Sequence, residues 1–123
     1  MNTQYQNFGE FLQRKREEKH ITMRKIAELI SVSAPYLSDI EKSRRNPPMD
    51  KLDIIAQTLL LTDEEKHTML TLAGKMRNTV APDLPDYIMN RDYVVAALRT
   101  ARDLDASEED WMRFVEELRK RKG

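Results

Sequence analysis

Residues 22–48 constrain the fold of this chain most, because they contain two short helical patterns separated by a tight turn. Thr22 is a natural N-cap for the first helix, and Ser33 is the expected cap of the second, over residues 34–42. Pro35 lies in the first turn of the second helix, where its missing N–H group costs nothing. The segment therefore predicts two short helices joined at a sharp angle.

The chain around this segment predicts three further helices, so the expected fold class is all-α. Helices are predicted over residues 8–19 and 49–60, and a capping box at residues 62–65 opens a fifth that ends near residue 76. Residues 1–6 are expected to form a polar arm. The side chains expected in the core are Phe8, Phe11, Leu12, Ile26, Ala27, Leu29, Ile30, Leu37, Ile40, Leu52, Ile55, Ala56, Leu59, Met69, Leu70, Leu72 and Ala73.

The helical pattern changes near residue 80. Two prolines within residues 81–85 indicate a linker or corner. Helices over residues 89–104 and 108–121, joined by a short connection, then predict an antiparallel hairpin. We therefore expect a first domain over residues 1–78 and a second, containing the linker and hairpin, over residues 79–123.

The hairpin carries apolar side chains on more than one side, which favours an interface over extra core for the first five helices. Both interpretations remain open from the sequence. The candidate interface residues are Val94, Val95, Leu98, Trp111, Phe114, Val115 and Leu118.

Composition excludes several classes of function. Without cysteine, the chain has no disulfide or thiolate metal site, and its two distant histidines predict no zinc site. We also expect no cofactor and no enzyme activity, because no Gly-rich phosphate loop or Ser-His-Asp set is present. No apolar run approaches the roughly 20 residues that cross a bilayer, and no signal peptide is visible, so a cytoplasmic protein is expected.

Charge is balanced overall, with 21 basic and 21 acidic side chains, but it is unevenly distributed. Residues 1–51 carry ten Lys and Arg against seven Asp and Glu, whereas residues 52–123 carry eleven against fourteen. The positive end therefore coincides with the two-helix segment, which favours nucleic acid as a partner.

The same segment resembles the helix-turn-helix family of phage Cro and CI repressors and xenobiotic-response-element regulators, over roughly residues 8–70. The resemblance implies a lambda-repressor-like domain whose second motif helix enters the major groove of double-stranded DNA. Its matching positions are Gly9, Arg16, Val32, Ser33, Leu37, Ser38, Asp39, Ile40, Glu41, Arg44, Arg45 and Pro47.

Inward-facing Leu37 and Ile40 leave the other face of their helix free to contact DNA. Tyr36 and Ser38 are candidate base readers, whereas Asp39 is either a base reader or a negative element that sets register. Basic side chains nearby are placed for phosphate contacts, which supply affinity without direct sequence information. The expected DNA-binding residues are Arg24, Ser33, Ala34, Pro35, Tyr36, Ser38, Asp39, Lys42, Arg44, Arg45 and Asn46.

The resemblance further implies a structural ion pair between Arg16 and Glu41 that joins the first helix to the third. Three positions depart from the family pattern. Met23 replaces a usual Gln that touches a phosphate, Lys15 replaces an apolar residue and Ser43 replaces a glycine.

A single helix-turn-helix reads about one half-site, so we expect a homodimeric repressor of a palindromic operator. The hairpin is similar in layout to that of Sin-type repressors, which implies self-association and capture by an antagonist protein. The alternative is an antitoxin that binds a toxin and represses its own operon, and an adaptor without DNA binding is a third hypothesis.

Overall fold

The computed structural model describes residues 5–122, and all the regular structure in that range is helical. The all-α prediction is therefore confirmed. The elements in chain order are α1 (Phe8–Glu18), α2 (Met23–Leu29), α3 (Ala34–Glu41), a 3-10 turn (Met49–Lys51), α4 (Leu52–Thr58), α5 (Asp63–Met76), α6 (Pro85–Met89), α7 (Asp92–Asp103) and α8 (Glu108–Lys122).

The chain divides into two compact units, an N-terminal unit of Met1–Pro85 and a C-terminal unit of Asp86–Gly123. The sequence places the domain boundary earlier, between residues 78 and 79. Residues just after that point still pack on α5, because a Cβ added to Gly74 would lie 2.6 Å from the Val80 carbonyl oxygen. The Thr79 N–H also donates to the Gly74 carbonyl at 2.9 Å.

The core of the N-terminal unit is formed by α1 to α5, and sixteen of its seventeen predicted side chains are buried. The prediction for Leu29 is wrong, since this side chain is 44% exposed. Ile26 and Ile30, one helical turn apart, already fill the inner face of α2, so Leu29 lies beside that face.

The predicted polar arm is wrong at Tyr5, which is buried and packs edge-to-face on Phe11 with ring centroids 4.9 Å apart. An aromatic side chain that can cover the open side of α1 gains more from burial than from solvation. Residues 1–4 of the predicted arm lie outside the described residues.

Side-chain caps begin the helices where the sequence predicts them. The side-chain oxygens of Asn7, Thr22 and Ser33 each accept from a backbone N–H three residues on, at 2.8 to 3.2 Å. Thr62 and Glu65 form a reciprocal capping box at the start of α5.

The predicted helix over residues 49–60 is shorter and is divided in two. A 3-10 turn precedes α4, and the helical conformation stops at Thr58. Leu60 adopts a left-handed φ of 53°, and the Leu61 N–H donates back to the Ala56 carbonyl, which closes the helix end.

The short helix α6 begins at Pro85, the last residue of the predicted corner, and α7 begins three residues later than predicted. Arg91 is extended, with φ −137° and ψ 94°, so it separates Met89 from α7. Ser107 and Asp110 cap α8 reciprocally, as predicted, at 2.9 and 3.1 Å. Among residues 5–122, no helix combines the length and the apolar character that a membrane crossing requires.

Candidate nucleic-acid interface

The helix-turn-helix is formed by α2 and α3, joined by a turn at residues 30–33. Ser31 has a left-handed φ of 63°, and the Val32 N–H donates to the Ala27 carbonyl at 2.9 Å. The fully buried side chains of Leu37 and Ile40 anchor α3 to the core. One face of α3 is thereby fixed inward, and the opposite face is left at the surface.

The surface face of α3 holds most of the side chains that the sequence assigns to DNA. Tyr36, Ser38 and Asp39 are half-buried, while Pro35 is exposed at the first turn. The Ser33 hydroxyl oxygen already accepts the Tyr36 N–H at 3.2 Å, so it is committed to the cap. Among residues 34–41, Asp39 is the only acidic side chain besides the buried Glu41.

A basic loop, residues 42–46, follows α3 and folds back toward it. Ser43 has a left-handed φ of 62°, and its N–H donates to the Ile40 carbonyl at 3.0 Å. The Arg44 N–H donates to the Asp39 carbonyl at 2.8 Å, which completes a Schellman-type helix end. Serine thus adopts a conformation that usually favours glycine.

The two arginines of the basic loop contact different residues of α3. The guanidinium of Arg44 lies 3.9 Å from the Asp39 carboxylate. The guanidinium of Arg45 lies over the Tyr36 ring, with 5.0 Å between Cζ and the ring centroid. Sequence reasoning assigned these residues separately and missed both pairings, because they depend on the reversal at Ser43.

The remaining predicted phosphate contacts are all exposed. Arg24 is exposed in the first turn of α2, and Lys42 and Asn46 are exposed at the two ends of the basic loop. Met23 packs partly against the core instead, which fits its departure from the usual polar residue.

Arg16 and Glu41 form a two-point ion pair between α1 and α3. Arg16 Nε and one terminal nitrogen donate to the two Glu41 carboxylate oxygens at 2.7 and 3.1 Å. The other terminal nitrogen donates to the Ile21 carbonyl at 3.0 Å, so the guanidinium also holds the segment before α2. The hydrogen bonds to Glu41 raise the pKa of Arg16 despite its burial.

A second ion pair, which the sequence did not predict, joins α1 to α5. Lys15 is 8% exposed, and its Nζ lies 2.7 Å from a carboxylate oxygen of Glu65. Burial acts to lower the pKa of Lys15, but hydrogen bonds to Glu65 and Tyr5 outweigh it and raise the pKa. The charge at this unusual position is therefore paired rather than solvated.

The candidate interface residues of the predicted hairpin lie on α7 and α8, and no side chain of residues 86–122 is buried. Trp111 and Phe114 are 39% and 51% exposed, and their rings meet edge-to-face with centroids 6.2 Å apart. The remaining members are half-buried or exposed: Val94, Val95, Leu98, Val115 and Leu118.

Residues 5–122 contain no group of three His, Cys, Asp or Glu side chains that could hold a metal ion. The α3 surface offers hydrogen-bonding side chains, an aromatic ring and positive charge. These are the groups by which proteins bind the bases and phosphates of DNA.

Comparison with known families agrees with this geometry. A family model described as helix-turn-helix matches residues 12–65, which include α2, α3 and the basic loop. An uncharacterised HTH-type transcriptional regulator of Mycobacterium tuberculosis strain H37Rv is 43% identical over 56 residues, or 46% of this chain and 40% of the relative.

The HTH-type transcriptional regulator DdrOP3 of Deinococcus deserti is 38% identical over 53 residues, or 43% of this chain and 41% of the relative. The matches therefore span less than half the length of these relatives. Among solved structures, a SinR protein/SinI protein complex contains a chain with a TM-score of 0.46 and 21% identity, covering 94% of this chain and 97% of that one.

Proposed function

We propose that the chain is a sequence-specific DNA-binding transcriptional regulator that represses a palindromic operator. The helix-turn-helix family model that matches residues 12–65 supports the proposal. The observation that carries the proposal is the α3 surface, where half-buried polar side chains lie next to a cationic loop. An α-helix with this arrangement fits the major groove of B-DNA.

The proposed roles follow from position and chemistry. Tyr36, Ser38 and Asp39 lie on the surface face of α3, and their side chains offer hydroxyl and carboxylate groups to base edges. Phosphate contacts, which fix the protein on the duplex, are assigned to the exposed cations and amide around them. These are Arg24, Lys42, Arg44, Arg45 and Asn46, with the N-terminal end of α3 at Ser33, Ala34 and Pro35 beside them.

Selection of bound duplexes from a randomised library tests the proposal directly, because it yields the half-site sequence and spacing together. We expect two inverted half-sites about one helical turn apart. Substitution of Lys42 by alanine should weaken binding to all sequences and reduce the slope of log affinity against log salt by about one for each bound copy, and so by about two for a dimer on its operator. Glu28→Ala, an exposed change elsewhere on α2, is the control and should leave the slope unchanged.

Failure to bind any duplex at low salt would contradict DNA binding and favour an adaptor on this fold. Binding with an unchanged salt slope after Lys42→Ala would place the DNA surface elsewhere on the domain.

We also propose that two copies associate through the hairpin of α7 and α8, so that both half-sites are bound together. The support is the exposed apolar surface of that unit, which contains Trp111, Phe114 and Leu118. Apolar side chains exposed to water carry a cost in free energy, and packing against a second copy would bury them.

Sedimentation equilibrium tests this part of the proposal. Trp111→Ser with Phe114→Ser should convert a dimer to a monomer and weaken operator binding, because each monomer then binds one half-site. Leu60→Ser, which alters an exposed leucine of the N-terminal unit, is the matched control and should leave the dimer intact. A chain that is monomeric before substitution would contradict self-association. Co-purification with a second protein on the same surface would then favour an antagonist or a toxin as its partner.

A further inference from the structure

We propose that Tyr36 acts as a positioning residue for Arg45, holding its guanidinium at the DNA-facing surface of α3. This inference rests on the proposed function. Its basis is the contact between the two side chains, with Arg45 Cζ 5.0 Å from the centroid of the Tyr36 ring. A guanidinium over an aromatic ring is attracted by the negative face of the π-system.

The backbone makes this contact available without strain in the arginine. The left-handed φ of 62° at Ser43 and the hydrogen bond from the Arg44 N–H to the Asp39 carbonyl turn the chain back beside α3. Tyr36 itself is fixed, because its N–H is held by the Ser33 cap and its side chain packs partly on the core. A flexible arginine is thus placed on a rigid support.

Stacking uses the face of the guanidinium and leaves its edge free. Within residues 5–122, Arg45 has the ring of Tyr36 as its contact and no protein hydrogen-bond acceptor. Its planar N–H donors can therefore bind two adjacent acceptors at once, as a phosphate or the edge of a guanine presents them. Part of the conformational entropy of this long side chain is already lost before DNA binds.

The neighbouring arginine provides an internal contrast. Arg44 lies 3.9 Å from the Asp39 carboxylate, so its charge faces an acid and must exchange that partner for DNA. Arg45 has no such exchange to make. The two arginines are adjacent in sequence and both are exposed, but within residues 5–122 a ring lies against Arg45 and not against Arg44.

A double-mutant cycle on operator binding tests the inference, with the duplex that the unmodified chain selects from a randomised library as the probe. Tyr36→Leu keeps an apolar side chain but removes the ring. We expect this change to weaken binding about two- to five-fold more for each bound copy in the presence of Arg45 than in the Arg45→Ala background, as for an exposed cation–π contact. Thermal unfolding of each variant checks that the domain remains folded.

Two controls separate positioning from a general structural effect. Tyr36→Phe keeps the ring and should retain the coupling to Arg45. Tyr36→Leu combined with Arg44→Ala should be additive, because Arg44 does not contact the ring.

Two further measurements identify the acceptor that Arg45 binds. A salt slope reduced by about one for each bound copy in Arg45→Ala indicates a phosphate. Lost preference at one base pair with an unchanged slope indicates a guanine.

The same cost for Tyr36→Leu with and without Arg45 overturns the inference and leaves the proposed function standing, since Tyr36 then contacts DNA by itself. An unmodified chain that binds no duplex overturns both. Loss of coupling in Tyr36→Phe also overturns the inference, because the hydroxyl rather than the ring would then be the group that matters.

Discussion

Both units of this protein contain helices with an apolar face and a polar face, but the two units bury the apolar face to very different extents. In the N-terminal unit, the eight-residue helix α3 buries Leu37, Ile40 and Glu41. In the C-terminal unit, the fifteen-residue helix α8 has no buried residue. An apolar stripe therefore indicates that a helix requires a partner surface, and the neighbouring elements decide whether the chain itself provides one.

The ion pairs of the two units differ in the same way. Arg16 and Glu41 meet at 2.7 Å between α1 and α3, where the Glu41 side chain is 4% exposed. Arg113 and Glu109 meet at 3.0 Å within α8, with both side chains largely in solvent. The two distances are similar, but of these two pairs only the first is shielded from water. Removing one partner of that pair would leave the other charge buried and unpaired.

The largest effect is expected at this buried pair. Glu41→Ala should lower the free energy of unfolding by about 3–5 kcal/mol, because the Arg16 guanidinium would stay partly buried without its carboxylate. Glu109→Ala is the matched change in the C-terminal unit and should cost at most about 0.5 kcal/mol. Urea unfolding of both variants measures the difference. A similar loss of unfolding free energy in the two variants would contradict the proposed difference between the buried and the exposed ion pair.

A smaller effect is expected where α1 and α3 approach most closely. A Cβ added to Gly9 would lie 2.5 Å from the Ile40 carbonyl oxygen and 2.6 Å from that of Glu41. Gly9→Ala should therefore destabilise the domain by about 1–3 kcal/mol, since the two backbones must move apart. Gln13→Ala, on the exposed side of α1, is the control and should change the midpoint of thermal unfolding very little. A stabilised Gly9→Ala variant would show that the helices separate without cost.

The smallest expected effect depends on pH and concerns the two capping-box acids, Glu65 of α5 and Asp110 of α8. Hydrogen bonds lower the pKa of both carboxyl groups. The main cause is the hydrogen bond from the Lys15 side chain for Glu65 and the hydrogen bond from the Ser107 backbone N–H for Asp110. A carboxyl whose pKa is lowered on folding contributes stability above its ordinary pKa, and that stability is lost as the pH falls through the folded value.

Thermal unfolding of the N-terminal unit should therefore become easier as the pH falls below the ordinary glutamate value of 4.5. In Glu65→Gln this particular loss is absent, so the gap to the unmodified chain should narrow over the same window. Asp110→Asn should leave the acid response of the N-terminal unit unchanged, because Asp110 is solvent-exposed and belongs to the other unit. An identical pH profile for Glu65→Gln and the unmodified chain would contradict the role of the Lys15 pair.

The sequence predicted the core of the N-terminal unit closely, because helical periodicity and side-chain caps are local properties. Phe8, Leu37 and Ile55 are fully buried, as their spacing indicates. The errors occurred where burial depends on a distant element. Tyr5 is buried because its ring packs on Phe11. Leu29 is exposed because Ile26 and Ile30 fill the inner face of α2.

For the candidate site, the sequence located the helix and the basic loop but not their pairings. The residue types and order over α2 and α3 were sufficient to indicate the motif, and the helix-turn-helix match over residues 12–65 agrees with it. The contacts of Arg44 with Asp39 and of Arg45 with Tyr36 depend on the left-handed turn at Ser43. Serine rarely adopts that conformation, so the residue itself gave no signal for it, although the family pattern has a glycine at this position.

By itself, then, the sequence determined which segments of the N-terminal unit are helical, which face of most of them is apolar and where the helices with side-chain caps begin, since all three follow from interactions within a few residues. Only the tertiary structure decided that Lys15 pairs with Glu65 across 50 positions and that Arg45 lies on Tyr36. The same holds for the hairpin, whose apolar side chains the sequence could list but not assign to the interior or the surface. Contacts between distant residues depend on how helices pack, and no local pattern encodes that geometry.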